Sequence, residues 1–223
     1  HIRLMTMAPE LPGAQELIVH AVALGVRISI GHSDSGTQPA RQAIAAGASS
    51  ATHTFNAMRA LDHRDPGILG VVLTEDLYAE IICDGIHVDP AIVALYWKAK
   101  GADRAILVTD GMAATGMPDG TYRLGTLEVE VANGKCTSGG VLAGSVLTLD
   151  RAVSNFHKFT GATLGEAAAL AARNPARMIG LDHQIGSLSP GRTADIAVLR
   201  ADGSVEATFL RGQIAYHAAH HAG

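Results

Sequence analysis

The stretch Arg27–Met58, RISIGHSDSGTQPARQAIAAGASSATHTFNAM, decides the fold. Two strand-like runs, Val26–Ile30 and Ser50–Thr52, each run out onto a histidine, His32 and His53. The Ala/Gly-rich segment between them is long enough for one crossover helix, Pro39–Ala46, stopped by Gly47. A strand, a helix and a second strand in that order imply parallel pairing with a right-handed crossover. Both imidazoles then stand at the same end of neighbouring strands, the end at which α/β barrels build their active sites from the loops that follow the strands.

The same alternation extends in both directions. Upstream, Ile2–Ala8 reads as a buried strand ending at Pro9-Glu10, and Leu17, Ile18, Ala21, Val22 and Leu24 recur at helical spacing before Gly25. Downstream, a polar loop, Arg59–Gly67, precedes the strand-like Leu77–Cys83, which leads into Asp84-Gly85-Ile86-His87. Pro90–Lys100 is a helix with Pro in its first turn, and Ala105–Thr109 is a further strand that ends on Asp110. Strands of this βα series carry Glu10, His32, His53, His87 and Asp110 at their carboxyl ends.

Beyond Asp119 the pattern changes to short β segments, Thr121–Leu124, Leu127–Val131 and Lys135–Thr137, with Asn133-Gly134 as a hairpin signal. Helical spacing returns with Val146, Leu149, Val153 and Phe156, then in Leu164–Ala172 and Asn174–Ile179. From Gly186 the chain is β again, in Ala194–Leu199, Val205–Leu210 and Gln213–Tyr216. This tail of about 38 residues is too small to own a core and is expected to pack on strands that the chain lacks. The chain opens His-Ile-Arg and enters a strand at once, which reads as the middle of a gene product. The terminal His217, His220 and His221 read as a frayed tail rather than a metal site.

Composition bounds the function. With 48% hydrophobic and 17% charged residues the chain is globular, and a net charge of −4 without a basic stripe argues against nucleic acid. No apolar run approaches the roughly 18 residues of a membrane span, and no signal-like amino terminus is present, so a cytoplasmic address is expected. Cys83 and Cys136 have no framework spacing, which predicts free thiols.

Neutral imidazoles bind Zn²⁺ or Fe²⁺, and a mononuclear hydrolytic site uses two His and a carboxylate with one position left open. His32 and His53 supply such a pair. Asp110 is then a candidate to shuttle a proton, and His87 to hold a carbonyl oxygen or a substrate hydroxyl. Arg64, with the backbone amides near Asn56, offers a clamp for a phosphate or carboxylate. On spacing alone the alternatives stay open: Asp110 as a turn cap, Arg64 as a solvated loop charge. None of the four lysines, Lys98, Lys100, Lys135 and Lys158, ends a strand of the series, so a carbamylated-lysine dinuclear site is not encoded here.

The runs GHSDSG, ATHTFNAM, DPGILGVVL, DGIHVDP, LVTDGMAATGMPDGTYRLG, VLAGSVLTLDRAV, NPARMIGL and GSLSPGRTADIAVL span nearly the whole chain. In this order they resemble the carboxyl-terminal part of the N-acetylglucosamine-6-phosphate deacetylases of the amidohydrolase superfamily. The resemblance implies an α/β fold: a partial (β/α)8 TIM-like barrel, strands 4–8, over residues 1–185, and the carboxyl-terminal part of a small β-sandwich over 186–223. It implies one divalent metal ion, Zn or Fe, on His32 and His53, Asp110 as the catalytic aspartate, and His87 as a substrate contact. Asn56, Ala57 and Arg64 match residues that hold the sugar phosphate, the arginine reaching into the neighbouring subunit of a homodimer. Leu142, Ala143 and Gly144 match a segment that lines the pocket. The implied reaction releases acetate and glucosamine 6-phosphate. The family's metal-binding glutamate lies in an HLEGP-type motif that does not occur here, and Glu10, in MAPE, belongs to a different motif and is not expected to be a ligand. Other hydrolases of the superfamily, deaminases or cyclic-amide hydrolases, and a fragment that binds without hydrolysing, are the competing readings.

Overall fold

The computed structural model describes residues 2–218. Its centre is a parallel sheet of β1 (Leu4–Met7), β2 (Arg27–Ile30), β3 (Ala48–Ala51), β4 (Tyr78–Ile82) and β5 (Ala105–Val108), hydrogen-bonded in sequence order. The connecting helices are α1 (Ala14–Ala23), α2 (Thr37–Ala45), α3 (Gly67–Thr74) and α4 (Pro90–Arg104). Each packs on the next, and they bury one continuous core with the sheet, built on Ile18, Ile28, Ile30, Val71, Ile81 and Leu107. A sheet that never reverses its strand order, with right-handed crossovers throughout, keeps its connecting helices on one side.

The expected strands and helices are present with ends shifted by a few residues, and two elements go beyond them, the short strand Val141–Leu142 and a helix before β4. Between the loop Arg59–Gly67 and β4 the sequence GILGVVLT forms α3, in which Gly67, Ile68, Leu69, Val71 and Val72 are all buried. Tyr96 of α4 is fully buried and joins two strands: its hydroxyl donates to Ala79 O of β4 and accepts from Ile106 N of β5 at 3.0 Å.

After β5 the chain makes a four-stranded antiparallel sheet, β6 (Gly120–Leu124), β7 (Leu127–Ala132), β8 (Lys135–Ser138) and β9 (Val141–Leu142). Asn133 and Gly134, with φ of 52° and 76°, turn β7 into β8, the positive pair that a two-residue hairpin requires. This sheet owns a small core of Met112, Ala114, Val129, Val131 and Cys136, with Val146 packed against it. The expectation that Val146 shares a helix face with Leu149 is corrected here, because α5 spans Leu149–Thr160. Helices α6 (Leu164–Ala171) and α7 (Arg173–Met178) follow, and α5–α7 all pack on β5.

The last three strands, β10 (Ile196–Leu199), β11 (Val205–Leu210) and β12 (Gln213–His217), form a separate antiparallel sheet. It rests on helices of this chain: Leu199 packs on the main core, and Ser154 of α5 donates to Asp202 O at 3.3 Å. A largely apolar cleft of about 780 Å³ remains between this sheet and α5–α7, lined in part by Leu149, Val153, Ile179 and Val205. Leu210 and Ile214 stay 57% and 64% exposed. His217 belongs to β12 and is not frayed, whereas His220 and His221 lie outside the described residues. Cys83 and Cys136 are free and buried. Among the described residues no helix is long and apolar enough to cross a membrane.

Candidate active site

His32, His53 and Asp110 each stand just past a central strand, and each holds a left-handed backbone, with φ of 48°, 29° and 49°. Phe55 and Ala57, at 82° and 49°, continue the turn after His53. Such conformations cost non-glycine residues roughly 1–3 kcal/mol each and persist where the surroundings over-determine them. Here the surroundings are visible. Glu10, past β1, accepts from Ser33 Oγ at 2.7 Å and Asp34 N at 2.9 Å and so pins the residues next to His32. Glu80, inside β4, accepts from His53 N at 3.4 Å, while its own carbonyl accepts from Thr54 N at 2.7 Å. Asp110 O accepts from Ser145 N at 2.9 Å, and Ser145 Oγ donates to Thr109 O.

The two imidazoles meet: His32 Nε2 lies 2.8 Å from His53 Nε2. At that distance at least one lone pair faces the other ring, since two N–H groups cannot point at each other. His53 is buried, and burial, with the neighbouring His32, pulls its pKa below the ordinary value against the raising effects of Asp110 and of backbone hydrogen bonds at His53 and Asn56. Glu80 is 7% exposed, and burial pushes its pKa up to about 7, the nearby Asp110 charge adding to the rise and the His53 N–H opposing it. Asp110 thus shares an electrostatic neighbourhood with both His53 and Glu80.

The remaining predicted residues divide into two sets. Asn56 belongs to the His53 turn, its backbone N–H donating to His53 O at 3.0 Å, and Ala57 O accepts from Ser33 N at 2.9 Å, tying the two histidine loops together. Gly144, at φ 66°, packs beside Asp110, where a Cβ would lie 3.5 Å from Asp110 O, whereas Ala143 packs on the core of the antiparallel sheet and Leu142 pairs with Thr137 of β8. His87 follows β4 and is bound to Asp84. Arg64, by contrast, is exposed, and its guanidinium makes no hydrogen bond or ion pair among the described residues. Its loop is fastened without it, through Asp62 and an Arg59–Asp65 ion pair of 2.7 Å.

Two of the carboxylates that hold this site, Glu80 and Asp84, were not singled out from sequence. An acid in the middle of the apolar run YAEII is the signal for Glu80, and Asp-x-x-His is the signal for Asp84. Glu10 uses both carboxylate oxygens to fasten the residues after His32, one accepting from Ser33 Oγ and the other from Asp34 N.

As donors for a cation, His32 and His53 fit: the two imidazoles bring the same nitrogen, Nε2, to within 2.8 Å of each other. Among the described residues no cluster of three His, Cys, Asp or Glu side chains suited to a metal is formed, so further donors would come from solvent, substrate or residues outside this set.

The N-acetylglucosamine-6-phosphate deacetylase of Vibrio furnissii is 41% identical over 217 residues, which cover 96% of this chain and 54% of that protein. The N-acetylgalactosamine-6-phosphate deacetylase of Escherichia coli is also 41% identical, over 96% of this chain and 57% of its own length. A solved structure of a Mycobacterium smegmatis N-acetyl-D-glucosamine-6-phosphate deacetylase mutant, in complex with N-acetyl-D-glucosamine-6-phosphate, superposes with a TM-score of 0.90 at 40% identity. It is matched over 95% of this chain and 57% of that one. The chain therefore spans little more than half the length of these relatives. The amidohydrolase family profile matches residues 5–215, and the chain belongs to the amidohydrolase family.

Proposed function

We propose that the chain carries the catalytic rim of a metal-dependent deacetylase that hydrolyses the acetamide of N-acetylglucosamine 6-phosphate to acetate and glucosamine 6-phosphate. The observation that carries this reading is the convergence of His32 Nε2 and His53 Nε2 beside Asp110, at the carboxyl ends of the parallel strands β2, β3 and β5. Its substrate comes from relatives whose names specify 6-phosphorylated N-acetylhexosamines.

His32 and His53 would hold one divalent ion, Zn or Fe. Such an ion supplies Lewis-acid polarisation of the amide carbonyl and makes water a stronger nucleophile at neutral pH. Asp110 takes a proton at its carboxylate from the attacking water and returns it to the amide nitrogen as the C–N bond breaks, so that an amine and not an amide anion departs. His87 contacts the substrate through Nε2. Asn56, Ala57 and Arg64 bind the phosphate, the arginine from the partner protomer of a homodimer, and Leu142, Ala143 and Gly144 wall the pocket. In this reading the sequence-ordered sheet is strands 4–8 of an eight-stranded barrel, residues 1–185, and 186–223 contribute to a small β-sandwich; the setting is the cytoplasm.

The test is acetate release from N-acetylglucosamine 6-phosphate by the chain loaded with Zn²⁺ or Fe²⁺. Release is expected, and Asp110→Asn abolishes it. Undiminished turnover by Asp110→Asn overturns the role of Asp110, and absence of turnover by the unaltered chain overturns the assignment of hydrolysis to it. N-acetylgalactosamine 6-phosphate, run in parallel, reads which sugar epimer is preferred.

A further inference from the structure

We propose that Asp84 is a positioning residue that locks the His87 imidazole in one tautomer, with the proton on Nδ1 and the lone pair on Nε2. Three hydrogen bonds converge on this one carboxylate. Its Oδ1 accepts from Ile86 N and His87 N, both at 2.8 Å, which folds residues 84–87 into a tight turn. Its Oδ2 stands 2.6 Å from His87 Nδ1. The two side chains are 8% and 7% exposed, so the pair is withdrawn from bulk water, where a charge-assisted bond is strongest.

An ionised carboxylate only accepts, so the proton between the pair belongs to Nδ1. Burial is the largest single influence and pushes the Asp84 carboxyl up, but the hydrogen bonds from the His87 side chain, His87 N and Ile86 N together outweigh it and keep the carboxyl below its ordinary pKa. Nε2 has no hydrogen-bond partner among the described residues and is not sealed from solvent. The ring therefore offers a fixed acceptor there when neutral and a donor only when doubly protonated. The turn is anchored on both sides. Asn155 Nδ2 of α5 donates to Cys83 O at 3.0 Å just before it, and Asp89 caps α4 just after it, accepting from Ala91 N at 2.8 Å.

The inference deepens the deacetylase reading, in which His87 touches substrate, but the lock itself is a property of the apo chain. It is read directly by ¹⁵N-histidine labelling and multiple-bond ¹H–¹⁵N correlation at pH 8.5, with His87 assigned by comparison with His87→Gln. The expected result is a single Nδ1–H tautomer for His87. In Asp84→Asn the amide oxygen still accepts the two backbone N–H groups, so the turn survives. Its NH₂ now faces Nδ1, so the His87 signals shift to the Nε2–H form. Asp84→Glu, which keeps a carboxylate, restores part of the Nδ1–H population and guards against a fold defect in the first variant. An averaged or Nε2–H ring in the unaltered chain, or an Asn variant with an unchanged ring, overturns the proposal. Where turnover is measured, Asp84→Asn lowers kcat/KM by about tenfold or more. A tautomer flip that leaves kcat/KM unaltered removes the positioning role. A chain with the Nδ1–H ring and no turnover supports the lock and counts against the deacetylase reading alone.

Discussion

His32 Nε2 and His53 Nε2 are 2.8 Å apart although their residues come from different strands and both carry left-handed backbones. Neither loop adopts that geometry on local preference. The pair is held by Glu10 through Ser33 and Asp34, by Glu80 through His53 N, and by the Ser33 N to Ala57 O bond that joins the loops. Preorganisation of this kind is what a cation site needs, since the donors are aimed before the ion arrives.

The first prediction concerns that cation. With His220 and His221 replaced by Gln, so that the tail offers fewer competing donors, the chain binds Zn²⁺ at one equivalent by titration calorimetry. Zn²⁺ at a hundred times its Kd raises the unfolding free energy by about 2.7 kcal/mol. His53→Ala removes both the heat and the stabilisation. Unchanged binding in His53→Ala would place the ion elsewhere.

The second concerns Gly144. An alanine there meets no severe clash, its Cβ lying 3.4 Å from Met112 Cβ and 3.5 Å from Asp110 O, but it must occupy φ 66°. That conformation costs roughly 1–2 kcal/mol in an L-residue. Gly144→Ala is therefore expected to lower Tm by about 2–8 °C for a chain of this size. Turnover should fall as well, because Ser145 N, the next donor along, holds Asp110 O. An unaltered Tm would mean that the segment relaxes freely.

The third is a pH dependence set far from the histidines. Lys100 of α4 is 7% exposed and donates to Val72 O at 2.9 Å and Glu75 O at 2.8 Å, closing the end of α3. Burial pulls its pKa from 10.5 down to about 8, against a smaller raising effect of Asp76. Between these values the unfolded chain holds a proton that the folded chain has released, so this group makes stability rise with pH across that window. The rise is about 3 kcal/mol at most. Unfolding free energy measured from pH 7 to 10.5 by urea titration should therefore climb relative to Lys100→Met. A flat or falling difference contradicts it.

How much of this was legible beforehand follows from where the signals sit. The order of β1–β5 and the placement of His32, His53, His87 and Asp110 could be read because short strand-like runs alternate with helix-length segments and a polar residue follows each run. Helix α3 could not, because GILGVVLT is apolar on nearly every side and so shows no 3.6-residue alternation. Glu80 escaped because its partners, His53 and Asp110, lie 27 and 30 positions away, and Glu10 had the same difficulty with Ser33 and Asp34. The contact of β10–β12 with α5 escaped because a tail of exposed and apolar strands does not name its support.

The last prediction tests the anion clamp. Arg64 is the residue of its loop that the fold does not use: Asp62 orders the backbone, Arg59 pairs with Asp65, and the Arg64 guanidinium is left without a partner among the described residues. Arg64→Ala should therefore change stability by no more than about 0.5 kcal/mol. If the guanidinium grips the phosphate, KM for N-acetylglucosamine 6-phosphate rises about 10- to 150-fold, the equivalent of one charge-assisted hydrogen bond. Hydrolysis of unphosphorylated N-acetylglucosamine is unaffected. Mixing Arg64→Ala with Asp110→Asn protomers distinguishes an arginine acting in its own site from one acting across a dimer. A site that keeps Asp110 and receives Arg64 from its partner is complete, so about a quarter of full activity returns, half of the dimers being mixed with one working site in two. An arginine acting within its own protomer gives no such recovery, because the Arg64→Ala protomer lacks the clamp and the other lacks the acid.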